Sequence, residues 1–164
     1  MSDNAELLWG ARFKAAPAAS LTALSRSPDY YFALAPYDLA GCRAHARELA
    51  RGDLLSADEL ATMLAAIDAL DADYRAGKLH PIAADEDVHT FIERALTERL
   101  GPLGGKLRAG RSRNDQTVND LRLYLRDNGR KVVAALLTLQ QSLVEQAAQH
   151  TESVAPGFAD LQQA

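Results

Sequence analysis

Apolar residues recur at helical spacing along most of this chain. Leu39, Cys42, Ala46, Leu49 and Ala50 fall three or four apart between Asp38 and Gly52, which predicts a short amphipathic helix from Tyr37 to Arg51. Ser56 and Glu59 have the Ser-x-x-Glu spacing of a capping box, in which each side chain satisfies a backbone N–H of the other, so a second helix is expected to start there. Leu60, Leu64, Ile67 and Leu70 form its stripe, with Gly77 and Pro81 as the stop and Leu55 and Leu60 as a candidate hydrophobic staple. Val88, Phe91, Ile92, Ala95, Leu96 and Leu100 continue the pattern until Gly101 and Pro102 end it.

The longest periodic stretch covers residues 115 to 150, which hold no proline and a single glycine, Gly129. Val118, Leu125, Val132 and Leu139 repeat every seven residues, flanked by Leu121, Leu136 and Leu143. At about 1.5 Å per residue this predicts a helix roughly 50 Å long. The short segments before it are too small to bury such a helix, so its apolar face calls for partner helices from other copies or from further sequence. Pro156 and Gly157 break the pattern, no strand signal stands out, and the expected fold class is all-α. Residues 1 to 36 carry Pro17, Pro28 and Pro36 and read as an extended arm with turns. Trp9, Phe13, Tyr30, Tyr31 and Phe32 make this arm too aromatic for a disordered segment, so it is expected to lie on another surface.

Composition narrows the function classes. The 18 Lys and Arg residues are outnumbered by 22 Asp and Glu, for a formal charge of -4, which argues against a general nucleic-acid binder. Cys42 is the only cysteine, so an internal disulfide or a multi-cysteine metal centre is excluded and a reducing compartment is the natural reading. The acidic start, Met-Ser-Asp-Asn-Ala-Glu, does not have the pattern of a secretory signal. The longest apolar run, around Val132 to Leu139, is far below the roughly 20 residues of a membrane span. A cytoplasmic protein is expected.

Candidate chemistry concentrates in residues 105 to 116, just ahead of the long helix. Arg108, Arg111 and Arg113 stand there with Ser112, Asn114 and Asp115. Helix N-terminal N–H groups lack internal partners and carry partial positive charge, and arginine offers a planar fork that grips a carboxylate through two hydrogen bonds. The loop therefore suits an anionic small molecule, while on spacing alone it also reads as a solvated charge cluster with Ser112 or Asn114 as helix cap. Asp85, Glu86 and Asp87 crowd a predicted helix start, where the dipole favours negative charge. His89, one position off the apolar stripe, reads as a hydrogen-bonded structural residue, and Cys42 and His45 read as packing residues.

At Gly110-Arg111-Ser112-Arg113-Asn114-Asp115-Gln116 the chain resembles argininosuccinate lyase, of the fumarase and aspartase superfamily that includes the delta-crystallins. Leu8-Trp9-Gly10-Ala11-Arg12-Phe13 resembles that family's opening segment, with Ala11 in place of a glycine, and Asp85-Glu86-Asp87-Val88-His89-Thr90 resembles its Asp-Glu-Asp-Val/Ile-His segment. Asp120-Leu121-Arg122-Leu123-Tyr124-Leu125-Arg126 continues the likeness, which runs from Trp9 to the last residue.

The resemblance implies an N-terminal helical lyase domain over 1–112 and the first long helix of a superfamily bundle over 113–164. It implies cleavage of argininosuccinate to arginine and fumarate, without metal or other cofactor, at sites built from three subunits of a homotetramer. It assigns substrate holding to Ser27, Arg113 and Asn114, and places Asp87 in a segment bordering the site. The family's Thr-His pair, which binds substrate and assists proton transfer, corresponds here to Ala159 and Asp160. An aspartate ordinarily titrates near pH 4, too low for good proton transfer at neutrality, and losing a positioned proton-transfer group costs on the order of 100- to 10,000-fold in rate. The family's downstream serine loop has no counterpart in these residues, so no catalytic residue is assigned. The expectation is a truncated lyase-like protein with little activity alone. The alternative is a non-catalytic binding or regulatory subunit that pairs with full-length lyase.

Overall fold

The computed structural model describes residues 17–163. The Trp9 and Phe13 part of the expected arm, with the Leu8-to-Phe13 segment, lies outside the described residues. The chain divides into two compact units, one through Tyr124 and the other from Leu125.

The first unit is built from α1 (Ala19–Ser25), a 3-10 helix (Asp29–Leu34), α2 (Ala35–Arg51), α3 (Ala57–Arg75), α4 (Val88–Leu100), α5 (Pro102–Gly105), a second 3-10 turn (Lys106–Arg108) and the start of α6 (Arg113–Gln149). The described part of the expected arm is thus helical, not extended. Pro28 stands immediately before the 3-10 helix, and Pro36 lies in the first turn of α2, where its missing N–H is not needed. α2 accordingly begins at Ala35 instead of Tyr37.

Helices α2, α3 and α4 pack pairwise around one core. Leu39, Ala46, Met63, Ile67, Leu70, Val88, Phe91 and Leu96 are fully or almost fully buried there. Phe32 meets Phe91 edge-on at 6.0 Å, and the Tyr74 hydroxyl donates to the Phe32 carbonyl at 3.0 Å, fastening the 3-10 helix to the core. Arg43 ties α2 to α3 through Asp68 at 2.6 Å and Asp71 at 3.0 Å. The capping box at Ser56 and Glu59 is formed in full.

The acids before α4 act individually. Asp87 is the N-cap, accepting from the Thr90 N–H at 2.7 Å. Asp85 is buried and accepts two hydrogen bonds of 2.9 Å from Arg94 and one of 2.8 Å from the Ile82 N–H. The expectation that all three simply complement the helix dipole is therefore corrected for Asp85, whose role is a buried ion pair. α4 ends at Gly101, whose φ of 58° lies in the left-handed region that favours glycine. Gly104 follows, pressed against the α4 backbone so closely that a Cβ would sit 2.7 Å from the Leu96 carbonyl oxygen.

In the second unit α6 continues to Gln149, and Leu125, Val132, Leu136, Leu139 and Leu143 on it are each more than half exposed. A two-stranded antiparallel ribbon follows, β1 (Phe158–Ala159) and β2 (Gln162–Gln163), with Phe158 opposite Gln163 and Ala159 opposite Gln162. The described residues are predominantly helical, as the expected all-α class requires, and this ribbon of two two-residue strands is a small addition at the tail. Its two-residue turn places Asp160 at φ 51° and Leu161 at φ 63°, and the second is a residue that rarely adopts this conformation, so the turn carried no Asn-Gly or Asp-Gly signature.

Candidate functional site

The first unit brings the N-terminus of α6, the N-terminus of α4 and the segment before Pro28 together. Ser112 caps α6 by accepting from the Asn114 N–H at 3.3 Å, which settles the choice between Ser112 and Asn114 as cap. Arg113 is the first residue of the helix, and its guanidinium donates to Asp87 Oδ2 in a short ion pair. The Ser27 N–H donates to the Glu86 carbonyl at 2.7 Å, so Ser27 is held beside the same segment as Asp87. Asn114 is exposed. Asp87, Arg113 and the Ser27 backbone are thus linked through one short stretch of chain.

Burial alone would raise the Asp87 carboxyl pKa, but the Thr90 hydroxyl and N–H and the Arg113 guanidinium outweigh it and hold the group below the usual carboxylate value. Asp87 is therefore an anion that keeps Arg113 aimed. The guanidinium retains further N–H donors for an incoming carboxylate.

Arg113 also lines a cavity of about 170 Å³ with Arg108, Arg111 and Gln116 on its polar wall and Ile92 and Leu96 on its apolar one. Arg108 is paired with Glu93 at 3.1 Å. Arg111 turns inward, donating to Cys42 Sγ at 3.1 Å and standing 3.5 Å from Asp38 Oδ1. Burial, then the neighbouring Asp38, pushes the Cys42 thiol up to about 12 against the opposing pull of Arg111, so Cys42 is a neutral, unreactive thiol. His45 is not simply a packing residue, because its Nε2 lies 2.9 Å from the Ala109 carbonyl and tethers the arginine loop to α2. Its pKa is lowered chiefly by burial.

Three side chains behind the loop were not singled out together by the sequence. Asp38 of α2, His89 of α4 and Asp120 of α6 are 1%, 4% and 0% exposed. His89 Nδ1 lies 3.4 Å from Asp38 Oδ1 and 3.8 Å from Asp120 Oδ2, and its Nε2 lies 3.1 Å from Thr117 Oγ1. Gln116 Nε2 donates to Asp38 Oδ1 at 3.1 Å. The expectation that His89 is hydrogen-bonded within the structure agrees with this placement. Periodicity marked Asp38 only as an acid early in a helix; its burial depends on residues more than fifty positions away. The ligand atoms of Asp38, His89 and Asp120 lie within 4.8 Å of one another, a spacing a cation would fit. The Arg111 guanidinium already supplies positive charge at this spot, which weighs against a second cation.

Arginines converge on a helix N-terminus of a helical scaffold, one of them steered by a capping aspartate, an arrangement with the chemistry to receive a carboxylate. A family described as lyase matches residues 11–164, and the chain belongs to that family. Among curated proteins it is 62% identical over 164 residues to argininosuccinate lyase 1 of Pseudomonas fluorescens (strain Pf0-1), covering 100% of this chain and 34% of that protein. It is 61% identical over 163 residues to argininosuccinate lyase of Acidothermus cellulolyticus, covering 99% of this chain and 33% of that protein. Argininosuccinate lyase 2 of Rhizobium meliloti is 54% identical over 157 residues, 96% of this chain and 32% of that protein. The chain spans about a third of the length of these relatives, their N-terminal part.

Proposed function

We propose that this chain is the substrate-holding N-terminal part of an argininosuccinate lyase, binding the carboxylates of argininosuccinate and contributing little turnover by itself. The observation that carries the reading is the Arg113–Asp87 pair at the joined N-termini of α6 and α4, in residues that resemble the lyase loop. Asp87 fixes the guanidinium, leaving its free N–H groups and the exposed Asn114 side chain to grip substrate oxygens, with Ser27 on the adjoining segment. The reaction itself requires removal of a proton and expulsion of a guanidinium leaving group. Ala159 and Asp160 offer a methyl group and a turn carboxylate where the family uses threonine and histidine. Neither is suited to hand a proton to or from the substrate near neutral pH.

The expected outcome of a fumarate-release assay on the purified chain with argininosuccinate is a rate at or near background. Turnover comparable to ordinary enzymes, about 1 per second or more, would overturn the inactive part of this reading. Addition of the remaining two thirds of a homologous lyase tests the other part, since a chain that supplies the substrate-holding corner is expected to raise the activity of the mixture.

The exposed stripe on α6 favours a second reading, in which the chain pairs as a non-catalytic subunit with complete lyase chains. Native mass spectrometry after co-expression distinguishes it, since mixed oligomers are expected only in that case. In either reading the functional assembly is an oligomer of helical bundles working on a small carboxylate in the cytoplasm, in arginine biosynthesis.

A further inference from the structure

The buried cluster behind the arginine loop has a charge deficit. Asp38 comes from α2 and Asp120 from α6, both essentially without solvent exposure, and His89 of α4 stands between them. One guanidinium, Arg111, reaches the cluster, 3.5 Å from Asp38 Oδ1. The other facing groups are neutral donors or weak ones: the Cys42 thiol from α2 and the Gln116, Thr117 and Asn119 side chains from α6. Two ionised carboxylates against one guanidinium leave a net negative charge in a space closed to water, and an unpaired buried charge is strongly disfavoured.

Hydrogen bonding shows the same deficit independently. The two Asp120 carboxyl oxygens are the buried side-chain polar atoms without a hydrogen-bond partner among the described residues. A proton on the Asp120 carboxyl cancels the excess charge, so that the unmatched oxygens no longer belong to a buried anion. A divalent cation in the same gap would reverse the imbalance instead, leaving the cluster net positive beside Arg111.

We infer that Asp120 is held as a neutral, protonated carboxyl beside Asp38 and His89, and that this proton lets the cluster act as the clamp that positions the arginine loop. The loop and the first turn of α6 hang on these groups at three points: Arg111 and Gln116 on Asp38, and Thr117 on His89. Loss of the proton sets two carboxylates against each other inside the fold, which strains the packing of α6 against α2 and α4 on which the Gln116 and Thr117 attachments depend, while Arg111 is drawn in more strongly. Burial, then the Asp38 charge, pushes the Asp120 carboxyl up to about 7, against the opposing influence of His89, Arg111 and Asn119, which puts this release within the neutral range. His89 is thus a positioning residue, and the meaning of the loop as a substrate holder rests on the reading above, whereas the titration does not.

The test uses the full chain, isotope-labelled, without substrate. NMR follows the Asp120 carboxyl carbon, the His89 ring nitrogens and amide hydrogen exchange of residues 111–117 as pH is raised from weakly acid to weakly alkaline. The expected result is an Asp120 midpoint in the neutral range, with loop exchange rising about tenfold beyond its intrinsic pH dependence above that midpoint. In Asp120→Asn the step in loop exchange disappears. An Asp120 midpoint in the ordinary carboxylate range, or loop exchange that follows intrinsic rates alone, overturns the proposal. So does stoichiometric zinc binding that shifts these same resonances. Should Asp120→Asn fail to fold, the wild-type titration decides. A failed fumarate or substrate-binding experiment leaves this result untouched.

Discussion

Asp87 and Asp120 are two aspartates on neighbouring elements with opposite environments. Asp87 is held as an anion by Thr90 and Arg113, so its contribution to stability is present above the ordinary carboxylate pKa and is lost as pH falls through its lowered folded value. Asp120 is raised from 3.8 to about 7, so the sign reverses: its contribution is complete below 3.8 and is lost as pH rises toward 7. At about 1.4 kcal/mol per pKa unit, the first unit is expected to lose on the order of 4 kcal/mol from this group between pH 3.8 and about 7. Denaturant unfolding of Asp120→Asn at both extremes checks this, the variant gaining relative to wild type as pH rises. Of the residues in this site, Arg113, Asn114 and Asp87 were legible from motif and cap chemistry. Asp38 and Asp120 were not recognisable as a pair, because each looks like an ordinary helix acid until α2 and α6 are brought face to face.

Among the elements, α3 and α4 follow directly from local signals, since their caps are formed by residues three apart. α1 and the 3-10 helix of residues 29–34 were hidden because prolines suggested an extended chain. Their order comes from contacts that lie far away in sequence, such as Tyr74 on Phe32. α5 positions the arginine loop by stacking on α4, and Gly104 is what permits the approach. Gly104→Ala would drive a Cβ to 2.7, 2.8 and 2.9 Å from Leu96 and Thr97 backbone atoms, none of which is a flexible side-chain end. The expected cost is about 1 to 3 kcal/mol of stability, measured by denaturant unfolding, with the cavity beside Leu96 and Leu107 distorted.

For the molecule as a whole, the seven-residue repeat read in the sequence corresponds to apolar side chains that stay exposed along α6 in the second unit. A stripe of this kind is a surface for helix–helix association. The chain is expected to self-associate in sedimentation experiments, and the double variant Val132→Lys, Leu139→Lys to shift it toward monomer without loss of helical content in the first unit. The helical class and the long helix were readable because their periodicity is local. The tail ribbon was not, because its turn places Leu161 in a conformation its side chain disfavours.

The central claim is that the corner at Arg113 and Asn114 still holds the substrate's carboxylates. Isothermal titration calorimetry of the full chain with argininosuccinate tests it most directly. The account predicts weak, saturable binding that falls by about tenfold or more in Asn114→Ala and in Arg113→Ala, in keeping with the loss of charged or polar hydrogen bonds. Absence of binding to a chain shown to be folded, or binding that both variants leave unchanged, would contradict it.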